Sequence, residues 1–154
     1  MKKLLFLAVI ATSLFACQQA SKPAFDLANA KKEIEAANHE IAETFAKGDS
    51  VGMAEAYSKE GSVMLNYMPS VKGKENLTKV WGSFFKAGIS KIELTTLEVW
   101  GDENFITEEG VFGIKSKDGA QLDKGKYIVI WKKEDGKWKL HRDLSNTDLP
   151  LATK

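Results

Sequence analysis

The chain has 154 residues, 44% of them hydrophobic and 28% charged, with a formal net charge of +1. That length makes one domain able to close a hydrophobic core without staples, and that composition excludes a disordered or repeat protein. Near-neutral charge removes the electrostatic footprint of a nucleic-acid binder, and one cysteine excludes both an intramolecular disulfide and a multi-cysteine metal site.

The N-terminus reads as an address. Lys2 and Lys3 precede an apolar run, Leu4–Ala16, that is too short for a hydrocarbon core needing about 20 residues. It predicts a signal peptide over residues 1–16. The sole cysteine follows in Leu14-Phe15-Ala16-Cys17, which resembles a bacterial lipobox, although Phe15 stands where a small residue is usual. A lone thiol in an oxidising compartment is a liability, which favours lipidation of Cys17 over a free side chain. Residues 17–24 are then a polar tether. Gln18, in place of an aspartate, resembles the pattern of outer-membrane lipoproteins facing the periplasm.

Apolar residues at Leu27, Ala30, Ile34, Ala37, Ile41 and Phe45 share one helical face, and Gly48 stops that helix. Asp49 or Ser50 caps a short second helix holding Val51, Ala54 and Tyr57. An extended run, Ser62–Met68, ends at Pro69. A third helix after Gly73 turns Leu77, Val80, Trp81, Phe84 and Phe85 inward. From Ser90 the period changes to two, predicting strands over Ile92–Trp100, Phe105–Lys115, Leu122–Lys133 and Trp138–Asn146. Asp-Gly pairs at Asp118-Gly119 and Asp135-Gly136 mark hairpins. The order is that of an α+β protein with helices on one sheet face.

Several motifs, in order, carry a family resemblance. They are Lys47-Gly48-Asp49 with Ala56-Tyr57, Val71-Lys72-Gly73-Lys74 before Trp81, and Glu108-x-Gly110-x-Phe112. Asp123-x-Gly125-Lys126-Tyr127, Val129-Ile130-Trp131-Lys132, Gly136-Lys137-Trp138 and Arg142-Asp143-Leu144-Ser145-Asn146 follow. Together they make residues 25–149 resemble the nuclear transport factor 2-like superfamily, in its SnoaL-like branch related to ketosteroid isomerase. The resemblance implies a cystatin-like cone, about three helices packed on a curved, mainly antiparallel sheet, with a pocket at its open end. Ser58-Lys59-Glu60-Gly61 follows the tyrosine where the family usually shows acidic residues, and Phe112 stands where it often has tyrosine.

Glu108 shares a strand face with Ile106, Gly110, Phe112 and Ile114. A carboxylate among apolar neighbours suits a general acid or base; the alternative is a lysine pair or the wet end of the strand. Asp143 and Asn146 close the last strand in a polar cluster that suits a ligand carbonyl or hydroxyl. An Arg142–Asp143 network is the alternative, and Asp143 and Asn146 reach one pocket only through a bulge. Tyr57, Tyr67 and Tyr127 bring hydroxyls that could donate to a carbonyl oxygen. Catalytic candidates are therefore Glu108 and Asp143. Ligand-binding candidates are Tyr57, Met64, Trp81, Phe85, Phe112, Tyr127 and Asn146.

His141 reads as a solvated or interface histidine and His39 as exposed, so no metal site is expected, and no cofactor is implied. Lysines interleaved with Trp131 and Trp138 suggest single-stranded nucleic acid, but the expected compartment favours a solvated sheet edge or anionic lipid. Expected partners are a small apolar molecule, the membrane through the anchor and a second copy of the chain, with no nucleic acid. The leading expectation is a lipid-anchored ligand-binding domain. Its rivals are a proton-transfer isomerase, dehydratase or cyclase, and a non-catalytic dimerisation module.

Overall fold

The structure is a computed structural model that describes residues 24–150. The expected signal peptide, Cys17, residues 17–23 of the tether and the tail after Pro150 lie outside the described residues. Helix α1 spans Leu27–Ala46, opened by the Asp26 carboxylate accepting from the Asn29 N–H. Its apolar stripe buries Ala30, Ile34, Ile41 and Phe45, with Asn38 among them. Gly48, at φ 66°, turns the chain into α2, Ser50–Glu55, which Asp49 caps on Gly52 N–H.

Tyr57 does not continue that helix, as its spacing after Ala54 predicted. The Ala56 carbonyl accepts instead from the Leu140 N–H, drawing the chain into β1, Tyr57–Met64. This long-range pairing overrides a weak local preference. The extended run thus starts earlier than expected and ends at Met64, because residues 65–68 turn, with Tyr67 at φ 62°. Strand β2, Val71–Lys72, and helix α3, Lys74–Lys86, follow, with Leu77, Val80 and Trp81 buried.

The four predicted strands are β3, Ile89–Gly101; β4, Phe105–Ser116; β5, Gln121–Glu134; and β6, Lys137–Thr147. At the β5–β6 turn both Asp135 and Gly136 have positive φ, the two-residue geometry that Asp-Gly favours. The sheet runs β2-β1-β6-β5-β4-β3; β1 lies parallel to β6 and every other pair is antiparallel. It is a curved, mainly antiparallel sheet carrying three helices, as expected.

Two irregularities aim the side chains of β6. Trp131 pairs with Leu140 and Ile130 with Arg142, so His141 is an extra residue. That bulge reverses the alternation, and Leu140 and Asp143 both turn to the concave face. On β1 the register jumps between Tyr57 and Ser62, which absorbs Ser58-Lys59-Glu60-Gly61. A Cβ on Gly61 would meet the Leu140 carbonyl oxygen at 2.7 Å, so only glycine fits that approach. The core residues all lie between Ala30 and Leu140.

Candidate functional site

The concave face encloses a cavity of about 420 Å³ beneath α1 and α3. Ile41, Phe45, Trp81, Leu94 and Phe112 give it apolar walls, and Tyr67, Met68 and Leu122 stand exposed at its mouth. Polar groups enter from the sheet, where Tyr127 on β5 and Asp143, Ser145 and Thr147 on β6 line the same space, and Asn38 enters from α1.

Behind the wall sits Glu108, wholly buried. Its Oε1 accepts from Asn38 Nδ2 at 2.7 Å, Thr96 Oγ1 at 2.6 Å and Tyr127 OH at 2.7 Å. Its Oε2 accepts from Trp131 Nε1 at 2.8 Å. A carboxylate offers acceptors only, so this quartet of donors satisfies it completely. Glu108 is thereby the hub that orients Asn38 and Tyr127 against the cavity. Burial, then the nearby Glu108 charge, push the Tyr127 phenol up.

Asp143 differs, because it faces the cavity itself. Tyr57 OH donates to its Oδ2 at 2.6 Å. Its pKa is raised from 3.8 to about 6: burial is the largest cause, the Tyr57 bond pulls against it, and the Glu108 charge adds to it. Burial first, and then the Asp143 charge, hold the Tyr57 phenol well above its ordinary value. Tyr57 is therefore a neutral donor, and Asp143 a carboxyl that changes charge near neutral pH.

The cavity brings together Tyr57, Trp81, Phe112, Tyr127 and Asp143 from the sequence candidates. Glu108 stands outside its lining and reaches it only through Asn38 and Tyr127. Asn146 is exposed and Lys126 is its strand partner, because the bulge lies at His141 and leaves residues 143 to 147 in strict alternation. Phe85 packs edge-on against Phe45 at 5.0 Å, and Phe84 lines the cavity in its place. Met64 ends β1 half-buried outside the lining, where the turn brings Leu65 in instead.

Asn38 and Thr96 escaped the sequence reading, and Trp131 entered it only in a motif and as a stacking ring. Asn38 left a signal, a polar residue on the buried stripe of α1; Thr96 left none. Trp131 and Trp138 are buried, donating to Glu108 and Glu33, so neither ring offers a stacking platform. His141 sits on the bulge with Nδ1 2.9 Å from Ser58 Oγ; burial, then Arg142 and Lys132, lower its pKa. His39 is exposed and meets Glu43 at 3.3 Å. Among the described residues no three His, Cys, Asp or Glu side chains converge as metal ligands.

Helices on the concave face of a curved sheet, enclosing a pocket, define the cystatin-like, nuclear transport factor 2-like class. Within that class the chain belongs to the SnoaL-like domain family, whose match covers residues 39–141. A protein of unknown function from Mycobacterium tuberculosis aligns at TM-score 0.70 and 16% identity, over 82% of this chain and 76% of that one. A ketosteroid isomerase-like protein from Erwinia carotovora atroseptica aligns at TM-score 0.65 and 20% identity, over 77% and 96%. A Novosphingobium aromaticivorans protein with a provisional scytalone dehydratase assignment aligns at TM-score 0.67 and 14% identity, over 80% and 87%. At these identities the likeness establishes the fold. No curated protein matches the chain.

Proposed function

We propose that the protein binds one small, largely apolar molecule whose single polar group meets Asp143 and Tyr57. The observation that carries this is their 2.6 Å pair, set in a cavity walled mainly by aliphatic and aromatic side chains. Burying a polar group costs free energy unless it is hydrogen-bonded, so such a site selects a ligand with a matching hydroxyl or carbonyl. The lipobox-like Leu14-Phe15-Ala16-Cys17 supports an envelope location, with the domain held at a membrane by lipidated Cys17.

A second reading is proton transfer, and the raised pKa of Asp143 favours it. A carboxylate of pKa about 6 is mostly ionised at pH 7 yet basic enough to take a proton, while Tyr57 steadies it. The isomerase-like and dehydratase-like neighbours agree with that chemistry. Native mass spectrometry of the mature chain from its own host tests the ligand reading. A stoichiometric small molecule is expected, depleted in Asp143→Ala. A chain that carries nothing, and takes up nothing from a total lipid extract of that host, overturns it.

A further inference from the structure

We propose that the cavity mouth is a docking rim for an anionic bilayer surface, and that the occupant is a single-chain amphiphile exchanged with that bilayer. The second half rests on the reading of the cavity as a ligand site; the docking itself does not.

The rim is apolar where a cavity guarding its contents from water would be polar. Tyr67 is 82% exposed, Leu122 43%, Leu149 41% and Met68 37%. Tyr67, Met68 and Leu122 line the opening, and the Leu149 N–H donates to Thr147 Oγ1, another lining residue, at 3.0 Å. Tyr67 holds this position on left-handed backbone, φ 62°, which a tyrosine rarely adopts. Exposed apolar side chains around the entrance of an apolar cavity form one continuous surface. A tyrosine among them suits the level of lipid headgroups.

Charge selects the occupant. Lys86 ends α3 two residues past Phe84 of the cavity lining, Lys117 tips the β4–β5 hairpin, and Lys124 stands two residues past Leu122. None of the three has a carboxylate within ion-pair distance among the described residues. The acids nearby offset part of this charge: Asp118 is exposed and accepts from Ser116, and Asp123 is half-buried and accepts from Thr147 and the Lys124 N–H. Lys91 and Lys115 share one partner, Glu93, leaving a further positive excess. Lysines around apolar side chains fit an anionic bilayer, where electrostatic attraction adds to apolar insertion.

The interior matches a single-chain amphiphile. Its polar pair, Tyr57 and Asp143, lies four strand residues from Thr147 at the opening, about 13 Å at the rise of a β-strand. A hydroxyl or carbonyl head seated there leaves its chain running along apolar wall to the rim. Such a ligand crosses from bilayer to cavity without exposing its chain to water.

The test uses the chain from Gln18 onward, which lacks an acyl anchor and keeps every described element. It is co-sedimented with vesicles of phosphatidylglycerol and phosphatidylcholine in equal parts, and with phosphatidylcholine alone. Binding is expected to be at least about tenfold stronger to the anionic vesicles and to fall with salt. Tyr67→Ser with Leu122→Ser should weaken it at least about tenfold, while Leu97→Ser, an exposed residue on β3 outside the cavity lining, leaves it unchanged. No vesicle binding, or equal loss from the Leu97 variant, overturns the docking. Uptake of cis-parinaryl alcohol, read by fluorescence without vesicles, separates the two halves. Probe uptake without vesicle binding overturns docking and leaves the cavity reading standing; vesicle binding without probe uptake overturns the amphiphile.

Discussion

Tyr57 and Asp143 lie 86 positions apart, yet the tyrosine hydroxyl meets the carboxylate at 2.6 Å. Parallel pairing of β1 with β6 brings their strands together, with Val63 beside Asp143 in register. The His141 bulge then turns the aspartate inward. Without that extra residue, Asp143 would fall on the outer face and the cavity would lose its titratable group.

Asp143→Asn should stabilise the protein at neutral pH. The folded carboxyl, raised to about 6 from 3.8, holds its proton over a pH range where the unfolded one has lost it. Stability therefore falls as pH rises through that window, by at most about 3 kcal/mol because the cavity admits water to the group. Asparagine escapes this cost and still accepts from Tyr57. Urea unfolding should show the variant more stable at pH 7.5 and level with the parent near pH 4. Any proton-transfer activity should vanish in the same variant.

Glu108→Leu should cost about 3 kcal/mol or more, because Trp131 Nε1 would be a buried donor with no acceptor and Asn38 Nδ2 would keep only Thr96 Oγ1. Glu108→Gln should cost roughly 1–2 kcal/mol, since the Thr96 and Tyr127 hydroxyls can rotate to accept from the new amide. Chemical denaturation of the pair of variants checks the order.

Gly110→Ala should disturb the site through Tyr127. The new Cβ lands on the Tyr127 ring and hydroxyl, which must leave the Glu108 carboxylate to make room. A loss of about 1–3 kcal/mol is expected, together with weaker ligand binding. Denaturation and a ligand titration on the same sample measure both.

His141 should oppose Asp143 in acid. Its lowered pKa means the unfolded chain takes up a proton first as pH drops below 6.5, so its contribution to stability is complete above that pH and lost below it. In Asp143→Asn this loss stands alone, and thermal midpoints from pH 7 to pH 5 should fall. Adding His141→Asn should flatten that slope.

Much of this architecture was legible in the residues. The stripe from Ala30 to Phe45 and the Asp135-Gly136 turn are local patterns, and each predicted the element observed. The alternation through Ile106, Glu108, Gly110 and Phe112 put Glu108 on the strand's apolar face, while the family resemblance implied its place by the pocket, which it adjoins from behind the lining. What the pattern missed is non-local. Tyr57 follows Ala54 at helical spacing, and only the Leu140 N–H, far along the chain, draws it into a strand. The His141 bulge is defined by its cross-strand partners and has no signature of composition, so Asn146 was placed in a pocket it does not enter. Asn38 was readable as a polar interruption of an apolar stripe, but its partner Glu108 was not.

The most direct measurement is a carbon-13 NMR titration of the Asp143 side-chain carboxyl, with Tyr57→Phe beside it. A midpoint near pH 6 is expected, with a still higher midpoint once the tyrosine bond is gone and a further shift when a ligand fills the cavity. A midpoint near pH 4 that neither the tyrosine nor a ligand moves would contradict this.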